Sequence, residues 1–383
     1  MAEIPEHASA SRKAAGSVIE VFLCGDVMTG RGIDQILPFP SEPSLFEPHM
    51  EDARDYVALA EQESGPIPRR QSFDSVWGDA LGAWASRAPD VRWVNLETSI
   101  TTSSDPWPKG INYRMHPKNT PCLLAAKIDG CSLANNHVLD WGRAGLVETL
   151  ATLRKAGMAT AGAGLDLDEA EAPAIVDVPG RGRVLVVSFG TTSSGIPREW
   201  AAGEHAPGLA VLSDLGPKTV ARVAARIAGT KRAGDVVIAS LHWGGNWGYE
   251  IPCEHVAFAH ALVDEAGVDV VHGHSSHHPM AIEVHAERPI FYGCGDFLND
   301  YEGIRGHEQY RSDRTLMYFV RLDTRTGRLV ELRMVPLRIR HFRLNRVERA
   351  DARWLAERLH RESRRFGAQI VLDEDDTLRL QWD

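Results

Sequence analysis

The stretch that decides the fold is Ser132-Leu-Ala-Asn-Asn-His-Val-Leu-Asp140, which Trp141 and Gly142 follow. A short apolar run ends in two asparagines and a histidine, and an aspartate comes three residues later. Amide, imidazole and carboxylate groups crowded onto a turn between a strand and a helix are costly to bury without partners. The stretch therefore indicates a turn that coordinates an ion or moves protons.

Other polar clusters in the chain also follow apolar runs directly. They are Gly25-Asp26, Asn95-Leu-Glu97, Leu241-His242-Trp243, Gly273-His274-Ser-Ser-His277-His278 and Gly295-Asp296-Phe297. In α/β sheets the carboxyl ends of the strands line one crevice, where ligands bind. We therefore expect these clusters to converge on one metal-centred site, although they are spread over most of the sequence.

Each cluster, taken alone, has another interpretation. Asp26 could cap a helix, because it precedes a glycine-rich turn. Glu97 could be an exposed strand end, and His242 could be a hydrogen-bonded core histidine. His277 and His278 could lie in a surface loop. Their shared position at the ends of strands favours a common site.

Composition narrows the classes of function. The chain has 383 residues, of which 43% are hydrophobic, which is enough for a sizeable core. Its net charge of −10 gives no electrostatic reason to expect a nucleic-acid or anionic-membrane partner. We find no apolar stretch of about 18 residues and no apolar signal-peptide core near the N-terminus. Five cysteines without a CxxC pair fit a reducing compartment, so the sequence predicts a cytoplasmic protein.

The order of predicted elements indicates one large domain. Strands and helices alternate as far as about Gly293, which favours buried sheets built from βαβ units. Two antiparallel strands and an amphipathic helix follow. We expect a disordered tail over 1–16, an α/β domain over 17–345 with an insertion at about 34–76, and a helix and extension over 346–383 that pack on the domain.

The motifs together resemble a known family. They are Gly25-Asp-Val-Met28, Asn95-Leu-Glu97, Ala134-Asn-Asn-His137, His242-Trp-Gly244, Gly273 to His277 and Gly295-Asp-Phe297. This set resembles the capsule and poly-γ-glutamate synthesis (CapA-like) family, a branch of the calcineurin-like metallophosphatases. The resemblance runs from about Val18 to Asp300. It implies a four-layer α/β/β/α sandwich with mixed sheets and a metal at one edge of the sheets.

The resemblance also implies roles for single residues. Asp26 resembles the first metal-binding aspartate, Asn136 the asparagine ligand, and His242 and His277 the two later histidine ligands. His137 resembles the neighbouring catalytic histidine. Glu97 stands where the phosphatases more often carry a bridging aspartate.

Two departures from the family pattern thin the ligand set. Met28 replaces the histidine of the usual Asp-x-His, and Ser276 stands where a second histidine would commonly lie. Two-metal catalysis needs a pair of ions about 3.5–4 Å apart. We therefore expect a single divalent ion. The remaining oxygen-rich set favours a hard cation, with Ca²⁺ first and Mn²⁺, Mg²⁺ or Zn²⁺ as alternatives.

The histidines and aspartates that remain predict acid/base chemistry. The candidates are His137, Asp140, His274 and Asp296. Two histidine–carboxylate pairs on opposite sides of one carbon could remove its proton and return it from the other face. This is the requirement for epimerisation.

Within the family, the chain also resembles the enzymes that epimerise the C-terminal tryptophan of a lasso-peptide precursor. The resemblance includes the segment Lys109-Gly-Ile-Asn-Tyr-Arg-Met-His116. It implies an isomerase whose partner is a precursor peptide. Lys109 and Arg114 could then hold a peptide carboxylate, and Trp243 and Trp247 could pack around an indole. The alternatives are a metallophosphoesterase-type hydrolase and a capsule or poly-γ-glutamate synthesis protein. The oligomeric state stays open.

Overall fold

The computed structural model describes residues 17–382, so the predicted tail over 1–16 lies outside the described residues. The helices are α1 (Arg31–Ile36), α2 (Ala53–Ser64), α3 (Ala80–Arg87), α4 (Pro121–Ala125), α5 (Gly142–Lys155), α6 (Leu167–Glu171), α7 (Pro217–Ala228), α8 (Cys253–Asp264) and α9 (Arg349–Ser363). The first strands are β1 (Val18–Leu23), β2 (Asp26–Val27), β3 (Val91–Leu96), β4 (Ser99–Ile100), β5 (Arg114–Met115), β6 (Gly130–Ser132), β7 (Ala159–Ala161), β8 (Ala163–Gly164), β9 (Ala174–Val178) and β10 (Gly182–Thr191). The later strands are β11 (Gly208–Leu209), β12 (Val211–Leu212), β13 (Val236–His242), β14 (Val270–His274), β15 (Ile282–His285), β16 (Arg288–Phe291), β17 (Asp296–Leu298), β18 (Arg314–Asp323), β19 (Leu329–Arg340), β20 (Arg343–Arg346), β21 (Gln369–Leu372) and β22 (Leu378–Gln381).

Two large sheets form the centre of the molecule. The first has the order β17-β2-β3-β1-β18-β19-β22-β21, with β6 beside β3, β7 beside β6 and β20 beside β19. Its strands β17, β2, β3, β6 and β7 pair in parallel, whereas β18 to β22 pair antiparallel. The second has the order β12-β10-β13-β14-β16-β15, with β9 beside β10. Both sheets are therefore mixed.

The side chains of single strands show how the layers stack. On β1, Phe22 belongs to the core under helices α1 to α5, while Val21 and Leu23 belong to the core between the two sheets. On β10, Val184 and Val186 face the same inter-sheet core, and Leu185 lies in a third core with α7 and α8. Successive strand residues point to opposite faces, so each sheet is buried on both sides. The predicted α/β/β/α sandwich with mixed sheets is confirmed.

The C-terminal residues complete the first sheet. Helix α9 places Leu355 and Leu359 against the inter-sheet core. Beyond it, β22 pairs with β19 and β21 pairs with β22, so the chain after the helix adds two strands. None of the helices in residues 17–382 has both the length and the apolar character needed to cross a bilayer. The cytoplasmic location stays a prediction.

One close approach between backbones positions the start of the site. A Cβ on Gly25 would lie 1.6 Å from the carbonyl oxygen of Gly295, so the strands can meet here only because residue 25 has no side chain. The amide of Asp26 then donates to the same oxygen at 3.0 Å. This contact brings Asp26 on β2 beside Asp296 on β17.

Candidate metal centre and its acid/base groups

Three buried carboxylates lie at the carboxyl-end edge of the first sheet. Asp26 and Asp296 are neighbours in register on β2 and β17, and Glu97 directly follows β3. Their exposed fractions are 0%, 1% and 2%, so Glu97 is not an exposed strand end. Asp26 does not cap α1, because Gly30 holds the N-cap position of that helix. Burial and, after it, the charge of Asp296 raise the pKa of Asp26 to about 7. Burial, followed by the charge of Asp26, raises the pKa of Glu97. Three carboxyl groups buried this close together would be stabilised in their charged form by a bound cation.

Two asparagines hold this group in place. Asn95 Nδ2 donates to Asp26 Oδ1 at 2.7 Å and lies 3.4 Å from Glu97 Oε2. Asn135 Nδ2 in turn donates to Asn95 Oδ1 at 3.0 Å, and its Oδ1 accepts from the amide of His137 at 3.1 Å. Asn135 therefore shapes the turn on which Asn136 and His137 lie. The sequence placed both asparagines in the polar clusters without assigning them these roles.

A buried hydrogen-bond chain crosses from one sheet to the other. Trp93 Nε1 donates to Ser132 Oγ at 2.8 Å, and Ser132 donates to Ser240 Oγ at 2.7 Å. Ser240 Oγ also contacts His272 Nδ1 at 3.0 Å and His274 Nε2 at 2.8 Å. The far end of the chain is the 2.8 Å contact between His274 Nδ1 and His242 Nδ1.

This hydrogen-bond chain determines which ring nitrogen of each of its histidines carries a proton. His272 Nε2 contacts the carbonyl oxygen of Cys24 at 2.7 Å and must donate, so its Nδ1 accepts from Ser240. Ser240 then accepts from His274 Nε2, which leaves His274 Nδ1 as an acceptor. The proton of the last contact therefore belongs to His242 Nδ1. The other nitrogen of His242, Nε2, carries a lone pair.

That lone pair meets two further acceptor atoms. His242 Nε2 lies 3.0 Å from Asn136 Oδ1 and 3.9 Å from Glu97 Oε1. Two ligands about 2.1 Å from one ion, at a right angle, have a separation close to 3 Å. Asp26 is also close, because its Oδ1 lies 3.9 Å from His274 Nδ1, and Asp26, His242 and His274 place ligand atoms within 4.8 Å of one another. Carboxylate, amide and imidazole donors of this kind are compatible with a divalent metal ion.

His137 and Asp140 form a histidine–carboxylate pair next to these donors. His137 Nδ1 lies 2.7 Å from Asp140 Oδ2, which fixes Nδ1 as the protonated nitrogen. Its Nε2 is 3.9 Å from Glu97 Oε1 and therefore points into the centre. Burial lowers the pKa of His137 to about 4, and the charge of Lys109 contributes to this shift. His137 is a neutral group whose lone pair can accept a proton.

His277 and Asp296 form a second such pair. His277 Nδ1 is 2.8 Å from Asp296 Oδ1, and Asp296 Oδ2 accepts from Asn299 Nδ2 at 2.6 Å. Burial opposes the charged form of His277, but the nearby charge of Asp296 outweighs it and raises the pKa. His277 also shares with Asp26 and Asp296 a set of ligand atoms within 4.8 Å of one another. This group can hold an ion or donate a proton.

The two residues that depart from the family pattern are accommodated in the core. Met28 is fully buried, and its amide donates to the carbonyl of Leu298 at 2.8 Å. The hydroxyl of Ser276 donates to the carbonyl of His278 at 3.0 Å. Ser275 precedes it with a φ of 101°, a strained conformation, and its amide donates to Asp26 Oδ2 at 3.2 Å.

The four predicted substrate-binding residues divide into two groups. The Lys109 ammonium lies 2.7 Å from Asp140 Oδ1, and the Trp247 ring lies 5.2 Å from that of His277, so both are at the site. Trp243 is buried, stacks on His255 and donates to the carbonyl of Tyr292. Arg114 donates to the carbonyls of Ser103 and Glu42 and stacks on Trp141. These contacts direct Trp243 and Arg114 away from the centre.

A buried arginine that the sequence analysis did not identify, Arg31, contacts the site through Tyr113. Arg31 forms an ion pair with Asp300 at 2.6 Å and with Glu47 at 3.0 Å. Its guanidinium carbon lies 3.9 Å from the ring centre of Tyr56 and 4.2 Å from that of Tyr113. Tyr113 continues the contact to His137, with ring centres 4.5 Å apart. The network therefore connects the segment 34–76, through Glu47 and Tyr56, to the side chain of His137 at the candidate site.

We predict that Tyr56→Phe lowers the free energy of unfolding by about 1–2 kcal/mol. The Tyr56 hydroxyl accepts from Arg31 Nη1 at 2.9 Å and donates to Glu47, so its loss leaves two buried charged groups with one partner fewer. Urea unfolding monitored by tryptophan fluorescence measures the change. Tyr249→Phe, whose ring packs near His278 instead, is the control. Equal unfolding free energies for Tyr56→Phe and the parent chain would show that the network adds no stability.

Comparison with known proteins places the chain in a family. The model of the bacterial capsule synthesis protein PGA_cap matches residues 20–301. The chain is 47% identical over 365 residues to a probable polyglutamine synthesis accessory protein of Mycobacterium tuberculosis, and the match covers 95% of this chain and 96% of the relative. It is 26% identical over 314 residues to the PGA biosynthesis protein CapA of Bacillus subtilis, covering 81% and 70% of the two chains.

A solved phosphatase from Mycoplasma pneumoniae aligns with a TM-score of 0.45 at 12% identity, over 86% of this chain and 95% of that one. The family match includes every polar cluster from Asp26 to Asp296, and the match to the mycobacterial relative covers 95% of the chain. The chain belongs to the bacterial capsule synthesis protein family PGA_cap.

Proposed function

We propose that this protein is a metal-dependent hydrolase that acts on a poly-γ-glutamyl chain during the synthesis of a glutamate polymer. The observation that carries the proposal is the convergence of His242 Nε2, Asn136 Oδ1 and Glu97 Oε1 beside His137 Nε2. The relative in Mycobacterium tuberculosis is named for polyglutamine synthesis and the relative in Bacillus subtilis for PGA biosynthesis, and these names support a polymer of glutamine or glutamate units as the substrate class.

The donor set suggests which ion the centre takes. Asp26, Glu97, Asn136 and His242 would hold it, and the ion would supply positive charge that polarises a carbonyl oxygen and makes a bound water more acidic. The set combines three oxygen ligands with an imidazole nitrogen. Such a mixture suits Mn²⁺ or Zn²⁺ better than Ca²⁺, which takes oxygen ligands.

The chain's own groups provide the proton transfers. His137 Nε2 takes a proton from the attacking water, and Asp140 stabilises the imidazolium that forms. Lys109 holds the outer oxygen of Asp140 at 2.7 Å and so keeps the pair aligned. On the other side, His277 donates a proton to the amide nitrogen as the bond between carbonyl carbon and nitrogen breaks. The products are a carboxylate and an amine.

A cavity of about 440 Å³ next to the centre offers room for the chain. Asn299, Tyr301 and Trp247 line its inner end, and each contacts the His277–Asp296 pair. Arg305 and Arg340 also line the cavity, together with the carboxylates of Glu63, Glu302, Glu308 and Asp313. Guanidinium groups bind carboxylates strongly, so Arg305 and Arg340 are the groups of this mixed wall that would contact the carboxylates of the substrate.

We expect Arg305→Glu/Arg340→Glu to raise KM for poly-γ-glutamate about tenfold, which corresponds to about 1.4 kcal/mol of lost binding, with kcat little changed. Steady-state kinetics at low salt measures the effect. Arg353→Glu/Arg361→Glu makes the same change of charge on the exposed face of α9 and is the matched control. An equal rise of KM in both double variants would assign the effect to net charge and not to the cavity.

The direct test is turnover of two substrates by one preparation. Protein loaded with Mn²⁺ is incubated with poly-γ-glutamate and, separately, with bis-p-nitrophenyl phosphate. New amino groups and shorter chains support the proposal. Release of nitrophenol alone would reassign the site to phosphoester hydrolysis. No product from either substrate, at full metal occupancy, would contradict a hydrolase.

A second candidate is the peptide epimerase that the resemblance implied. The observation in its favour is the presence of two histidine–aspartate pairs, His137–Asp140 and His277–Asp296, on two sides of Asp26 and Glu97. One pair could remove a Cα proton and the other return it. Incubation of a lasso-peptide precursor in D₂O tests this candidate. Deuterium at Cα of the terminal tryptophan without cleavage would support it, and unexchanged peptide would exclude it.

A further inference from the structure

A second cluster of metal-ligand side chains lies outside the centre described above and shares no residue with it. His260, Glu283 and His285 place one ligand atom each within 4.8 Å of one another. Asp264 joins them, because its carboxylate oxygens lie 2.9 and 3.0 Å from His285 Nε2. From these four residues we propose a peripheral site for a zinc-class divalent ion, which we call the α8–β15 site.

The two supporting elements present the residues at the right spacing. His260 and Asp264 are four residues apart on α8, so both lie on one helix face. Glu283 and His285 are two residues apart on β15 and share one face of that strand. Two ligand residues on helix α8 thus face two ligand residues on strand β15. The contact between His260 Nε2 and Glu283 Oε1, at 2.8 Å, joins the two elements.

The chemistry of the four residues fits a zinc-class ion. Two imidazoles and two carboxylates form a four-ligand set of nitrogen and oxygen, which Zn²⁺ and Co²⁺ accept in tetrahedral geometry. Two carboxylates also balance the charge of a divalent ion when the imidazoles are neutral. The imidazole rings stack with centres 3.8 Å apart and planes 6° apart, and one nitrogen of each ring lies within 4.8 Å of the other.

A buried hydrogen bond orients one ligand of the α8–β15 site, and the other three ligands are partly exposed to solvent. Glu283 is buried, and its second oxygen accepts from the Tyr292 hydroxyl at 2.5 Å, so Oε1 is turned toward His260. Hydrogen bonds of this kind orient the ligands of protein metal sites. The side chains of His260, His285 and Asp264 are 32%, 26% and 52% exposed, which gives an ion a path from solvent.

The position of the site indicates what the ion would do. Strand β15 is the edge of the second sheet, and an unpaired edge is a weak point of a sheet. An ion held by α8 and β15 would fasten this edge strand to the helix that covers the sheet. It would stabilise the folded chain without entering the reaction.

Metal stoichiometry of the full chain tests the proposal. Apo protein is titrated with Zn²⁺ against a chromophoric chelator, and bound metal is measured by mass spectrometry after gel filtration. We expect the parent chain to bind one equivalent more than His260→Ala/His285→Ala. His285→Gln keeps an amide that can contact Asp264 and should weaken this equivalent at least about tenfold. Co²⁺ bound to Asp26→Asn should still give the intense visible absorption of a tetrahedral site.

The controls separate this site from the first centre and from surface binding. His205→Ala removes an exposed histidine that lies 3.9 Å from Glu204, and it should leave the stoichiometry unchanged. The thermal stabilisation by Zn²⁺ should be smaller in the double variant than in the parent chain. Equal stoichiometry and affinity in the parent chain, the double variant and His285→Gln would overturn the proposal. The four residues would then be hydrogen-bonded surface pairs.

Discussion

In a chain that carries His260→Ala/His285→Ala and so lacks the α8–β15 site, Asp26→Asn is expected to reduce bound metal from about one ion per chain to less than a tenth. It is also expected to lower kcat/KM about a thousandfold, equal to about 4 kcal/mol of transition-state stabilisation. Asp26 is the carboxylate that lies within reach of both histidine groups, His242–His274 and His277–Asp296. Asparagine keeps the shape and can still accept from Ser275, so the loss of charge is isolated from the loss of packing. Elemental analysis and steady-state kinetics on poly-γ-glutamate measure the two effects.

A matched variant tests whether the loss of any carboxylate charge has the same effect as Asp26→Asn. Asp168→Asn removes an aspartate whose side chain is 87% exposed and pairs with Arg226. It should leave metal content and kcat/KM at the parent values. If Asp26→Asn keeps both its ion and its turnover, the metal centre does not lie where we place it.

His137→Ala is expected to lower kcat by about 10²–10⁴-fold, the usual contribution of a general acid or base, while metal content stays constant. The reason is that His137 Nε2 faces Glu97 at 3.9 Å, whereas its Nδ1 is taken by Asp140 at 2.7 Å. Added imidazole should enter the space left by the side chain and restore part of kcat. Asp140→Asn should act in the same direction with a loss of about 10–100-fold, because it only orients the histidine.

The pattern of losses decides the role of His137. Loss of metal together with kcat would make it a ligand and not a proton acceptor. Parent-like kcat in His137→Ala would remove it from the mechanism. Tyr249→Phe, a substitution that does not touch the His137–Asp140 pair, should have the kcat and the metal content of the parent chain.

The sequence predicted the strand ends of the site because of a simple rule of α/β sheets. Asp26, Glu97, Asn136 and His242 all lie at the end of an apolar strand or within four residues after it. Parallel pairing aligns the ends within the first sheet, and the contact between His242 and Asn136 joins the second sheet to them. The order of polar motifs supplied the family. Local patterns of this kind involve few residues, and the positions of strand ends that they predict agree with the structure.

Side-chain direction at the ends of strands could not be predicted in the same way. Trp243 follows His242 directly, yet its indole turns into the core and stacks on His255. Arg114 stacks on Trp141 because that ring and two carbonyl oxygens are within its reach. Neighbouring elements decide such choices, and a single sequence does not state which elements are neighbours.

Long-range polar networks were also out of reach. Arg31 contacts Asp300, which is 269 residues away, and Ser132 contacts Ser240 across 108 residues. A lone arginine or serine in a sequence gives no sign of such a partner. The strands β21 and β22 were missed for a related reason, since short strands after a helix pair only because β19 offers an edge.

The hydrogen-bond chain from Trp93 to His242 has a consequence for folding. It begins on the first sheet, crosses to the second at Ser240 and ends at His242, whose other ring nitrogen, Nε2, faces the proposed metal centre. An ion at this nitrogen binds well only when the two sheets are docked in register. Binding that is selective for the native state adds RT ln(1 + [M]/Kd) to stability, about 2.7 kcal/mol at a hundredfold excess over Kd. Metal supply would thus set the population of fully docked molecules, and metal starvation would expose the interface between the sheets.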